Sequence, residues 1–165
     1  MDENQYKWSV VIIACMAIFI IVLDTSAMNV AITTLVVELN TTLSAIQAII
    51  ALYALIIASF MLLGRKIQDI LGRKRTFIIG LIIYACGTII ATLSVNAAML
   101  LIGWAVLEGI GAALILPATT TIVGASYKGK DRATAFGIWG GIAAVGAAVG
   151  PIIGGNFTTY LTWRL

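Results

Sequence analysis

Histidine is absent from this 165-residue chain, and charged residues of both signs make up only 10% of it. Without an imidazole, no side chain carries an ordinary pKa near neutrality, so any proton chemistry falls to carboxyl groups in unusual surroundings. So few charges cannot cover the surface of a soluble domain. With 61% hydrophobic residues, the composition is that of an integral membrane protein. Cysteine is scarce too. Cys15 and Cys86 both fall inside apolar runs and suggest neither a disulfide framework nor a metal site. The net charge of +3 does not point to nucleic acid, because the basic residues sit in short gaps between apolar segments. An enzyme is not expected, and neither is a cofactor. No metal cluster or nucleotide loop is present, and Gly109-Ile110-Gly111 lacks the third glycine of a dinucleotide fingerprint.

What the chain does have is apolar length. Crossing a bilayer takes about 20 such residues, and five segments suffice: 8–37, 44–63, 76–95, 97–126 and 134–161. The first is too long for a cleaved signal peptide and has no small-residue cleavage site before a polar mature sequence. Expected connections are 38–43, 64–75, a tight turn near Asn96, and 127–133. They leave no room for an extramembrane domain, so 1–165 reads as one all-α membrane domain of five transmembrane helices. Charge orients it. Lys7 precedes the first span; Arg65, Lys66, Arg73, Lys74 and Arg75 fill the second gap, and Lys128, Lys130 and Arg132 the fourth. The intervening gaps hold no Lys or Arg. By the positive-inside rule the N-terminus and both basic loops are cytoplasmic, and the last span ends outside near Trp163 and Arg164.

The last span carries Gly146-Ala147-Ala148-Val149-Gly150-Pro151-Ile152-Ile153-Gly154-Gly155. Glycines four apart make a smooth groove that admits another backbone in lipid, and the proline removes one helix hydrogen bond. The run fits G-x-x-x-G-P-x-x-G-G, which resembles the fifth-helix signature of export-type transporters in the major facilitator superfamily. In the second gap, Asp69-Ile70-Leu71-Gly72-Arg73-Lys74 resembles the superfamily's D-x-x-G-R-K loop motif. Gly72 permits a turn with positive φ, and Asp69 can pair with Arg73 or a helix N-terminus. Topology alone accounts for the basic residues, but not for Asp69 and Gly72 at this spacing. The family usually has glycine four before the aspartate. Here that position is Arg65, with Gly64 one place earlier.

Two further motifs match in part. Leu23-Asp24-Thr25-Ser26-Ala27-Met28-Asn29-Val30-Ala31-Ile32 is similar to the L-D-x-T-x-x-N-x-A-L-P motif of the 14-helix drug:proton antiporters, with Ser26 for threonine and Thr33 at the proline position. On a helical wheel Thr25, Ser26, Asn29 and Thr33 form a polar stripe, suited either to a water-filled cavity or to hydrogen bonding between helices. Asp24 points nearly the opposite way and is expected to meet a neighbouring helix. In the fourth span, Leu107-Glu108-Gly109-Ile110-Gly111-Ala112-Ala113 resembles the end of R-x-x-q-G-x-g-a-a, with Ala105 at the arginine position and Glu108 at the glutamine position. That arginine is associated with proton coupling in the family.

Asp24 and Glu108 are the acids deepest in apolar surroundings. At a rise of 1.5 Å per residue they lie roughly 20 Å and 17 Å from the helix ends, at mid-depth. Ionisable groups there are costly, usually paired, and functional candidates by default. Each is either a proton carrier or a neutral acid hydrogen-bonded to a neighbour. Asp24 is preferred as the carrier because its motif matches better. The resemblance implies that the first and fourth helices correspond in inverted repeats and border a central cavity. It also implies that the chain forms most of an N-terminal six-helix bundle in the plasma membrane. The expected function is proton-coupled efflux of drugs or small metabolites by alternating access, completed by a C-terminal half that this chain lacks. Trp104, Trp139, Met28 and Met61 would suit lipophilic cations. An uptake carrier of the same fold and a non-transporting accessory subunit are the alternatives.

Overall fold

The computed structural model describes residues 3–160 and the side chains of 8–158. The expected end of the last span at Leu161, with Trp163 and Arg164, lies outside the described residues. Five helices are long and apolar enough to cross a membrane: α1 (Glu3–Glu38), α2 (Leu43–Leu71), α3 (Arg73–Thr92), α4 (Ala97–Ser126) and α5 (Gly129–Tyr160). No strand occurs among the described residues.

The helix ends differ from the hydropathy boundaries for a local reason each time. α2 does not stop at residue 63 but runs to Leu71, so most of the expected 64–75 loop is helical. Hydropathy marks where lipid ends, whereas the backbone goes on satisfying its own hydrogen bonds in water. The reversal into α3 uses one residue, Gly72, at φ 85°. Its N–H bonds the Gln68 carbonyl at 2.9 Å, and its own carbonyl receives Thr76 Oγ1 at 3.0 Å. A side chain is strained at that φ, which explains glycine there. α3 ends at Thr92 rather than 95, because Asn96 caps the next helix, its Oδ1 accepting from the Met99 N–H at 2.8 Å. Thr42 caps α2 likewise, accepting from Ala45 N–H at 3.2 Å. α5 begins at Gly129 rather than 134, leaving only residues 127–128 between α4 and α5.

α4 is the central helix: 61% of its apolar stretch is buried, against 17% for α2 and 11% for α5. It packs on α2, α3 and α1, while α1 runs along α5. Lipid tails are as apolar as leucine, so close backbone approach rather than hydrophobic exclusion holds such helices together. A Cβ on Gly87 would stand 2.7 Å from both Glu108 Cγ and the Gly103 carbonyl oxygen, and one on Gly111 would meet the Tyr84 backbone N at 2.7 Å. Gly64 settles the shifted glycine of the loop motif. It is buried, and a Cβ there would sit 2.6 Å from the Ala113 carbonyl oxygen. That carbonyl lies four residues before Pro117, which has no N–H to offer it. Moving the glycine from 65 to 64 therefore keeps a close α2–α4 contact. Large side chains such as Leu55, Leu62, Ile82 and Ile89 point outward, the surface that lipid solvates.

Candidate functional site: a pair of acids inside the bundle

One face of α1 carries Ile20, Asp24, Ala27, Met28 and Ala31, spaced by four, three, one and three residues. That face closes one side of a cavity of about 290 Å³. Opposite stand Trp104 and Glu108 of α4, Thr88 of α3, and Gly154, Phe157 and Thr158 of α5. Asp24 and Glu108, 84 positions apart in sequence, thus open into the same space.

The stretch of α4 that supplies Trp104 and Glu108 is π-helical, Leu101–Glu108. Its i→i+5 bonding widens the turn, so residues four apart share a face. π-segments of this kind recur at functional sites. The Trp104 indole donates from Nε1 to Asp24 Oδ2 at 2.9 Å. Its ring stacks on Tyr53 of α2, centroids 4.4 Å apart and planes inclined by 17°. The Tyr53 hydroxyl lies 3.5 Å from Thr25 Oγ1, which donates to the Ile21 carbonyl at 2.8 Å. Glu108 is 1% exposed, beside Asp24, Tyr84 and Thr88. Its Oε2 and the Tyr84 hydroxyl are buried without a hydrogen-bond partner. Ala105, at the motif's arginine position, is fully buried among α1 and α2 side chains.

The polar stripe is not on this face. Thr25 turns toward Tyr53, and Ser26 packs under α5, 2.5 Å from where a Cβ on Gly150 would be. Asn29 and Thr33 are exposed, Asn29 donating to the Thr25 carbonyl at 2.8 Å. None of the four lines the cavity. The physical reason is rotation: α1 turns Asp24 inward, and the stripe lies on the far side of the helix. Met28 and Trp104 do line the cavity, whereas Trp139 packs against the cluster of Val11, Ala14, Cys15, Val123 and Ala135, edge-on to Phe136, and Met61 is not in the lining.

The glycine run of α5 lies against α1. A Cβ on Gly146 would meet the Phe19 carbonyl oxygen at 3.1 Å, one on Gly150 the Leu23 carbonyl oxygen at 2.9 Å, and one on Gly154 the Ala27 Cα at 2.9 Å. Gly155 is looser, its nearest neighbour being Val30 Cγ1 at 3.8 Å. α5 continues as a helix through Pro151, which faces outward. At the turn between α2 and α3, Asp69, Arg73 and Lys74 are exposed, and no ion pair joins them among the described residues. Sequence reading passed over Tyr53, Tyr84 and Thr88. The available signal was a tyrosine within each of two apolar spans, since a buried tyrosine hydroxyl usually finds a partner.

Comparison with known proteins follows the same lines. Residues 14–165 match the family model of the Major Facilitator Superfamily. The chain is 29% identical to the riboflavin transporter RibZ of Clostridioides difficile (strain 630), over 96% of this chain and 35% of that protein. It is 32% identical to the methylenomycin A resistance protein of Bacillus subtilis (strain 168), over 94% and 34%. It is 33% identical to the cephamycin export protein CmcT of Amycolatopsis lactamdurans, over 99% and 34%. The chain thus spans about a third of the length of these relatives. With a family match over nearly its whole length and five apolar helices in one bundle, this chain belongs to the Major Facilitator Superfamily, a family of membrane transporters and not of enzymes.

Proposed function

We propose that the chain is the N-terminal part of a proton-coupled exporter in the plasma membrane, moving drugs or small metabolites by alternating access. The observation that carries this reading is the pair of half-buried Asp24 and fully buried Glu108 facing one largely apolar cavity. Two acids without a neighbouring cation cannot both stay charged cheaply in such a place, so a proton and a cationic substrate compete for the same charge. Apolar walls that include Met28 and Trp104 favour a lipophilic cation. The glycine–proline run of α5 adds support, as its resemblance is to exporters. So do the printed names of two relatives, an export protein and a resistance protein. The missing partner in this reading is a C-terminal half that closes the transport path; lipid surrounds the whole.

The reading is tested in liposomes containing the intact protein. Substrate efflux should follow an imposed pH gradient and stop when a protonophore collapses it. Efflux indifferent to the gradient would refute proton coupling, and net accumulation driven the other way would favour an uptake carrier. Orientation has its own test. Single cysteines at Lys74 and Lys130 should react only with cytoplasmic label and one at Asn40 only with external label; all three side chains are exposed. Reaction of Lys74 and Lys130 positions from outside would invert the topology.

Asp69 of the turn motif is proposed as a latch against another part of the transporter, since its carboxylate is exposed and has no ion pair among the described residues. Asp69→Asn keeps the shape and removes the charge. It should shift the balance between inward- and outward-open forms, read as altered labelling of cytoplasmic-side cysteines, with the helices intact. Unchanged labelling and transport would reduce the motif to a topology signal.

A further inference from the structure

The two acids share a cavity, but their surroundings are unequal. Asp24 receives on Oδ2 the indole N–H of Trp104, at 2.9 Å. The indole is held in place by its stack on Tyr53. An indole N–H donates and cannot accept, and a donated hydrogen bond is strongest to an ionised oxygen. Glu108 has no indole beside it: its neighbours are the hydroxyls of Thr88 and Tyr84 and the Asp24 carboxylate, and its Oε2 is buried without a partner. A charged carboxylate in that position would be far more costly than a neutral carboxyl.

The groups facing the pair complete the inventory. α2 contributes Tyr53, α3 contributes Tyr84 and Thr88, and α4 contributes the two residues already named. α5 brings Ile153, Gly154, Phe157 and Thr158 to the cavity, none of them titratable. Among the described residues no Lys or Arg lines the cavity, and Ala105 next to Trp104 is neutral. Among the described residues no cation compensates a second negative charge there.

We propose that Trp104 is a positioning residue that divides the pair: it holds Asp24 as the charged member that meets a cationic substrate, and leaves Glu108 as the member that carries the exchangeable proton. This rests on the proton-coupled reading above and assigns its two roles, reversing the motif-based preference for Asp24 as the carrier because the indole donor sits on Asp24. The exchange balances one for one. As a monovalent cation enters, the Glu108 O–H bond breaks, the proton passes to water on the open side, and the cation offsets the new carboxylate. As the cation leaves, a proton from the other side restores the O–H.

The test is infrared difference spectroscopy on the intact protein in bilayers, following the C=O stretch of protonated carboxyl groups near neutral pH. It needs no substrate. Glu108→Gln should remove a buried carboxyl band, and Asp24→Asn should leave it. Trp104→Phe keeps an aromatic ring on Tyr53 but takes away the donor, and should add a second carboxyl band of comparable intensity as Asp24 also becomes protonated. A purely structural role for Trp104 would leave the band count unchanged. Should Trp104→Phe fail to fold, the indole N–H resonance of Trp104 by NMR answers instead: it should move in Asp24→Asn, and a resonance that stays put overturns the positioning role. A band lost in Asp24→Asn and kept in Glu108→Gln overturns the assignment while sparing proton coupling. A band unchanged in both variants overturns the assignment together with the coupling role of the pair.

Discussion

Glu108→Gln in the intact protein is expected to abolish efflux driven by a pH gradient while leaving exchange of substrate down its own gradient. The amide replaces the hydrogen bonds of a protonated carboxyl, and Glu108 sits 1% exposed in a cavity wall where such a replacement fits without rearrangement. It cannot release a proton, so the cycle loses its driving force and keeps its path. Asp24→Asn should behave differently. It removes the charge that faces the cation, and the Trp104 donor then meets a neutral amide oxygen or is turned away. Binding of a cationic substrate should weaken by roughly tenfold or more, since a hydrogen-bonded charge contributes on the order of 1.5–3 kcal/mol. The measurement is proton release on substrate addition to the purified protein, compared among wild type and both variants. Equal release in all three would remove both acids from coupling.

The second large effect is expected from Gly150→Leu and Gly154→Leu. At Gly150 a Cβ alone would approach Ser26 Cβ to 2.5 Å, and at Gly154 it would come within 2.9 Å of Ala27 Cα. The obstructing atoms belong to the backbone or its first side-chain carbon, so they cannot swing aside. A leucine must push α1 away from α5. Overpacking of this kind costs about 1–3 kcal/mol, and here the displaced turn of α1 is the one that carries Asp24. Transport should fall about tenfold to a hundredfold, with folded protein still recovered from the membrane. Gly155→Leu serves as the comparison: its nearest neighbour would be 3.8 Å away, so the loss there should be small. Bulky residues tolerated at both 150 and 154 without loss of efflux would mean that the α1–α5 contact does not matter to function.

Much of the bundle is legible in the chain before any coordinates. The five spans follow from apolar length, and the glycine run of α5 marks itself as a surface for close approach. Asp24 and Glu108 stand out because carboxyl groups in apolar helices are rare. The opposition between Asp24 and the stripe Thr25, Ser26, Asn29 and Thr33 is legible as well, because 100° per residue fixes directions within one helix.

Periodicity says nothing about rotation of one helix relative to another, and there the sequence reading stops. It left the stripe facing either a water-filled cavity or a neighbouring helix; in the folded chain Asp24, Met28 and Ala31 line the cavity inside the bundle, Thr25 meets Tyr53, and Asn29 and Thr33 are exposed. That glycine at 64 rather than 65 still serves a close helix contact is visible only in the fold, where the Ala113 carbonyl of α4 lies beside it. The bond from Trp104 to Asp24 joins residues 80 positions apart and depends on a π-helical turn in α4 and on the Tyr53 ring behind the indole. Composition, hydropathy and local motifs determined that this is a membrane bundle with acids at mid-depth, because those properties are sums over neighbours along the chain. Which acid meets which donor was decided only by tertiary packing, because it depends on the fit of whole helix surfaces, to which every side chain along the contact contributes.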